Sequence, residues 1–137
     1  MKETPEQRSR TMRAVRSRDT KPELTVRRFL HAAGLRYLLH DRRLPGSPDL
    51  VFPKYRTVVF VHGCFWHQHP NCAAASRPQT NTEYWSRKLT RNVERDERNR
   101  AELEASGWTV LVIWECEIRK RDALDRLAKA IRSSRGR

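Results

Sequence analysis

The sequence predicts a single α/β domain in which helices cover a central β-sheet of mixed strand direction. Three observations carry this. The length of 137 residues is one domain's worth of chain. The composition, 37% apolar and 33% charged with four Trp, three Tyr and four Phe, suffices for a core without disulfides and is too aromatic for a disordered polycation. The hydrophobic period changes along the chain, in the order α-α-β-β-β-α-β-α. Residues 1–18 read as a helical arm and residues 19–137 as the domain proper.

Thr4-Pro5-Glu6-Gln7 supplies an N-cap, a first-turn proline and a Gln three residues after the cap, so a short helix runs to about Arg16 with an exposed arginine ladder. Thr20-Lys21-Pro22-Glu23 repeats the signature, Leu24, Phe29, Leu30 and Ala33 recur at helical spacing, and Gly34 is the stop. Arg36–Leu39 reads as a strand, Pro45-Gly46-Ser47-Pro48 as a turn, and Asp49–Phe52 as a short strand closed by Pro53. Thr57–Val61 is a β-branched central strand that pairs with it as a hairpin. A His- and Cys-rich segment, His62–Cys72, leads through a polar loop to a long helix. In that helix Trp85, Leu89, Val93, Asp96, Arg100 and Leu103 share a face, and Gly107 ends it. Trp108–Trp114 is a further strand, and Leu124, Leu127, Ala128 and Ile131 stripe a last helix.

A net charge of +13 points to a polyanion, with nucleic acid the first expectation, because phosphate neutralisation releases counterions. The basic residues fall in three separated stretches, so any footprint is assembled only on folding. No run of about 18 apolar residues is present and the amino terminus is charged throughout, which sets membrane and secretory readings aside. Three cysteines without a secretory signal fit a reducing cytoplasm.

Cys64-x4-His69-x2-Cys72 has the spacing of a tetrahedral zinc site, with Cys116 a fourth ligand just beyond the last strand. Scattered cysteines would read as small buried hydrophobes; this cluster reads as a closed, structural metal site. Asp49 at the start of one strand and His62 at the end of the next put a carboxylate and an imidazole at one hairpin mouth, where Asp49 with a backbone carbonyl suits Mg²⁺. His67 is a candidate general base. Glu23 reads first as a capping-box residue. Asp96, on an apolar face, needs a partner, and His62 is the expected one. His31 and His40 read as ordinary histidines. Phe65-Trp66, in a loop crowded with polar ligands, is expected to protrude and wedge between base pairs, and Trp85 either joins the pair or packs beneath it.

Pro45-Gly46-Ser47-Pro48-Asp49, His62-Gly63-Cys64-Phe65-Trp66-His67-x-His69, Asn92-Val93-Glu94-Arg95-Asp96 and Trp114-Glu115-Cys116 together resemble the very-short-patch repair (Vsr) DNA mismatch endonucleases, across about residues 8–132. The resemblance implies a restriction-endonuclease-like, PD-(D/E)XK-type fold with a structural zinc. It implies Mg²⁺-dependent nicking of double-stranded DNA 5′ to the T of a T·G mismatch left by 5-methylcytosine deamination. By the same resemblance Asp49 is the Mg²⁺ ligand; Glu23, His62, His67 and Asp96 complete the active site; Cys64, His69, Cys72 and Cys116 hold zinc; and Phe65, Trp66 and Trp85 intercalate. The arm, with Arg8, Arg10, Met12, Arg13 and Arg16, is expected to clamp the opposite groove, and Lys88, Arg91 and Asn92 to contact DNA from the long helix. Restriction-like nucleases follow Pro-Asp with Asp/Glu-x-Lys; here Val59-Phe60-Val61-His62 puts a histidine where the amine is expected.

The expected mechanism has Asp49 and the Val61 carbonyl holding Mg²⁺, His67 steered by Glu23 activating water, and His62 with Asp96 stabilising or protonating the departing oxygen. The expected protein is a monomer, cytoplasmic and nucleoid-associated in a bacterium. The rival readings are a non-catalytic, zinc-stapled DNA-binding module and a same-fold nuclease acting on another lesion or site.

Overall fold

In the computed structural model, residues 20–134 are described; the arm, with Arg8, Arg10, Met12, Arg13 and Arg16, lies outside them. The elements are α1 (Lys21–Ala32), β1 (Leu38–Leu39), β2 (Leu50–Phe52), β3 (Thr57–His62), α2 (Thr82–Ala105), β4 (Thr109–Trp114), α3 (Glu115–Ile118) and α4 (Arg121–Ser133). The four strands form one sheet in the order β1-β2-β3-β4. The first three are antiparallel neighbours and β4 runs parallel to β3, so the sheet is mixed, as its connections allow: the loop 40–49 joins β1 to β2 and a short turn, 53–56, joins β2 to β3, while α2 carries the crossover.

The three residues of β2 are all buried, and alternation sends them to opposite faces. Leu50 and Phe52, with Val59 and Ile113, pack under Val26 and Leu30 of α1 and Leu124, Leu127 and Ile131 of α4. Val51, Val58 and Val110 meet Leu103 of α2 on the other face. This is the two-sided cover expected of a sheet whose inner strands read as continuous apolar runs.

Three details differ from the sequence reading. β1 is only Leu38–Leu39, shorter than Arg36–Leu39; as an edge strand it has one partner, and both leucines are exposed. Trp108 precedes β4 rather than opening it. A one-turn helix, α3, follows β4 directly and carries Cys116.

Register decides what meets at the sheet's edge. Leu50 pairs with Val59, so Asp49 lies beside the end of β3. His62 pairs with Trp114 in parallel, so Cys64 and Cys116 stand at equivalent positions, each two residues beyond a paired strand end.

Candidate active site and metal centre

Asp49 is fixed by β3: its Oδ2 accepts the Val61 N–H at 2.7 Å. Glu23 enters from the first turn of α1, where its backbone N–H is capped by the Thr20 hydroxyl at 3.4 Å. Its side chain is buried, so the capping-box position also delivers a carboxylate to the interior. Burial, the Val61 N–H and the nearby Glu23 act together on Asp49, the first raising, the second lowering and the third raising it, and the carboxyl is pushed up to about 7. Two carboxylates held this close and this dry call for a positive counter-charge. Oxygen donors of this kind suit a hard divalent cation, which commonly uses one or two carboxylates plus substrate phosphate.

The Glu23 carboxylate does not reach His67. Its Oε2 takes the Arg27 guanidinium at 3.2 Å and His40 Nε2 at 3.0 Å. Ligand atoms of Glu23, His40 and Asp49 lie within 4.8 Å of one another. His40, expected to be an ordinary histidine, is therefore part of this cluster.

Asp96 pairs with His67, not with His62. Its Oδ2 lies 2.6 Å from His67 Nδ1, because α2 crosses the open side of the Cys64–His69 loop and aims one carboxylate at it. His62 instead stacks flat on His67, with ring centroids 3.8 Å apart and planes at 4°. Burial above all, with the adjacent His67 also acting, holds the His62 imidazole down to about 3, so at neutral pH it is uncharged. In the protein alone the ring is therefore a neutral hydrogen-bonding group. Its Nδ1 is buried without a partner among the described residues, the kind of unmet polar group that functional sites retain. Val61, Gly63 and His67 open onto one cleft of about 650 Å³, with Thr20, Lys21 and Arg119 around it. His67 also lines a second cleft, of about 440 Å³, between the sheet and α2. The larger cleft adjoins Asp49 through Val61, whose N–H binds that carboxylate, and the smaller is lined by His62, His67 and Asp96.

The Cys64, His69, Cys72 and Cys116 ligand atoms lie within 4.8 Å of one another. His69 Nδ1 is 3.8 Å from Cys64 Sγ and 3.4 Å from Cys116 Sγ. A tetrahedral zinc with ordinary bond lengths places sulfur and nitrogen about 3.5 Å apart, so the donor set fits zinc in both chemistry and spacing. His69 also stacks on Trp114, at 4.2 Å and 14°, which holds the ring's plane.

Phe65, Trp66 and Trp85 form one cluster, with centroids 5.1 to 5.9 Å apart and the rings edge-to-face or tilted. All three are half-buried, so Phe65 and Trp66 pack on each other and on Trp85 rather than protruding. Tyr84, which the sequence reading missed, is 43% exposed beside Trp85, and the Lys88 ammonium lies over both the Tyr84 and Trp66 rings. Asn92, expected on DNA, is buried. It donates to the Trp66 carbonyl at 3.2 Å and accepts from Arg95 at 3.1 Å, so it anchors the aromatic loop to α2. Arg91 is exposed on the same helix.

The family model of DNA mismatch endonuclease Vsr matches residues 2–74, more than half of the chain. The chain belongs to the Vsr family. It is accordingly an endonuclease. Relatives of this Vsr chain include the DNA mismatch endonuclease Vsr of Escherichia coli K12, 46% identical over 117 residues that span 85% of this chain and 74% of that one. The type II nicking enzyme V.NmeAIP of Neisseria meningitidis serogroup A is 45% identical, with 96% of each chain covered. Among solved structures, the catalytic domain of the homing endonuclease I-Bth0305I superposes with a TM-score of 0.51 over 84% of the Vsr chain and 93% of that domain. At 21% identity this likeness speaks for the fold alone.

Within this Vsr chain the structure brings Glu23 and Asp49 together, stacks His62 on His67, and gathers the three cysteines with His69. His40 and Tyr84 were the missed residues. His40 stands shortly before the Pro45–Asp49 motif but outside it, and Tyr84 offered one cue, an aromatic next to Trp85 at the start of a basic helix.

Proposed function

We propose that this protein nicks one strand of double-stranded DNA 5′ to the T of a T·G mismatch arising from 5-methylcytosine deamination, in a Mg²⁺-dependent reaction on a restriction-like, PD-(D/E)XK-type fold. The observation that carries the reading is the His67–Asp96 contact of 2.6 Å, whose His67 opens on the same cleft as Val61, the residue whose N–H holds Asp49. Asp49 and the Val61 carbonyl, with Glu23 beside them, would hold the cation. Bound there, Mg²⁺ polarises the scissile phosphate as a Lewis acid.

His67 takes the proton of the attacking water. Asp96, on Nδ1, fixes the tautomer that leaves Nε2 as the acceptor and stabilises the imidazolium that forms. His62, neutral and stacked on His67, contributes a hydrogen bond toward the phosphate or the departing oxygen. Cys64, His69, Cys72 and Cys116 would hold a structural zinc with no open position, pinning the loop between β3 and α2 that carries both His67 and the aromatic cluster. Phe65, Trp66 and Trp85 serve as the mismatch test: a T·G wobble stacks less well than a matched pair, so the few kcal/mol of unstacking are smaller there. Lys88, Arg91 and the arm hold the backbone, in a protein acting as a monomer.

The test is cleavage of duplexes labelled on each strand in turn and carrying T·G, other mismatches or none, with Mg²⁺ and with EDTA. A Mg²⁺-dependent nick on the T strand of T·G alone is expected. Equal cleavage of matched and mismatched duplexes would overturn the specificity, and cleavage in EDTA the cation.

A further inference from the structure

We propose that His40 is a positioning residue for this reaction: by its hydrogen bond to Glu23 it holds the Glu23–Asp49 carboxylate pair at the spacing a divalent cation needs. The inference rests on the cation-site reading above and extends it to a side chain outside the motifs.

His40 follows β1 and takes a left-handed backbone conformation, φ 48°. This is uncommon for a residue with a side chain, and such residues persist where the surroundings over-determine them. Two contacts do so here. The His40 N–H donates to the Asp49 carbonyl at 3.2 Å, which ties its backbone to the residue proposed to anchor the cation. Its Nε2 reaches Glu23 Oε2 at 3.0 Å, with side chains only 12% and 3% exposed.

Arg27 binds the same oxygen, but Arg27 stands one turn along from Glu23 on α1 and moves with it. His40 ties the helix-borne carboxylate to the backbone of the strand-borne one, beside the direct contact between the two carboxyl groups. Without it, Glu23 keeps only Arg27 on its own helix and that direct contact, and when both carboxylates are charged their mutual repulsion favours its turning away. Removing an outer hydrogen-bond partner of a metal-binding carboxylate typically costs about 10- to 100-fold in metal affinity.

The decisive variants are His40→Asn, which tolerates the left-handed backbone but stops short of Glu23, and His40→Gln, whose longer amide keeps an N–H donor in reach. Cation binding is read on the DNA-free protein as the loss of free Mn²⁺ signal in electron paramagnetic resonance. Alongside it run Mg²⁺ titrations of single-turnover nicking, duplex affinity in EDTA, and thermal melting. His40→Asn is expected to weaken Mn²⁺ binding about tenfold or more and to raise the Mg²⁺ concentration for half-maximal nicking in step, with duplex affinity unchanged; His40→Gln should stay near wild type in both. Wild-type Mn²⁺ affinity in His40→Asn would overturn the proposal. So would a His40→Gln as defective as His40→Asn, since the imidazole would then be a ligand itself. Parallel Asp49→Asn protein separates the two levels: if it binds Mn²⁺ as wild type does, the cation site falls, and the role of His40 with it. If His40→Asn fails to melt cooperatively, His40→Gln alone decides, by matching or missing wild-type Mn²⁺ binding.

Discussion

At Asp49 a single side chain carries opposite demands from stability and function. Burial, against the Val61 N–H and with Glu23 adding repulsion, pushes its carboxyl from 3.8 up to about 7. A carboxyl whose folded pKa lies above its unfolded value contributes stability that is whole below pH 3.8 and is lost as pH rises through about 7. Asp49→Asn should therefore melt higher than wild type at pH 8 in EDTA, with the difference vanishing near pH 4, while Mg²⁺-dependent nicking disappears. Thermal melts of both proteins across that range check the first half, and a nicked-duplex gel the second. The His67–Asp96 pair carries a kinetic prediction. His67→Ala and Asp96→Ala should each slow single-turnover nicking by about 10²- to 10⁴-fold, and the double variant should be scarcely slower than the worse single one, because the two residues act as a unit. Full additivity in that cycle would mean that they act separately.

Elements place these residues, and each has its own vulnerability. α2 covers one sheet face through Leu103, fully buried against Val51, Val58 and Val110, and the same helix presents Asp96 to His67 about two turns earlier. Leu103→Ala should cost about 2–5 kcal/mol of stability, measured by urea unfolding, and should slow nicking only as far as it unfolds the protein. The loop between β3 and α2 is built of hydrogen-bonded turns at 64–68 and a short 3₁₀ turn at Ala73–Ala75, so its conformation leans on the cysteine cluster. Cys116→Ala is expected to lose one zinc per chain, seen by metal analysis, and to lower the melting temperature; untreated protein without zinc would refute the site. Asn92, through the Trp66 carbonyl, and Asp96, through His67, tie this loop to α2 as well.

For the molecule as a whole, the +13 charge and the aromatic cluster divide the task of finding a site. Phosphate neutralisation makes binding to matched DNA steeply salt-dependent, while the ring cluster is where discrimination is proposed to reside. Trp66→Ala should leave matched-duplex affinity and its salt slope near wild type and lower T·G nicking strongly. A folded variant with undiminished T·G selectivity would end the wedge reading, and a collapse of melting temperature would make the ring a core element. Much of this was legible in one dimension. Period and capping located the helices and strands, since they depend on neighbours a few residues apart, and the tight Cys64–Cys72 spacing announced the candidate metal cluster because three of its four residues lie within one loop. Residue pairing across the fold was not legible. Asp96 meeting His67 rather than His62, Glu23 meeting His40, and Asn92 turning inward all depend on the crossing of α2 and the packing of α1 against the sheet. Those contacts span 17 to 29 positions, and helical or strand spacing carries no information at that range, because which atoms meet is settled by how whole faces pack.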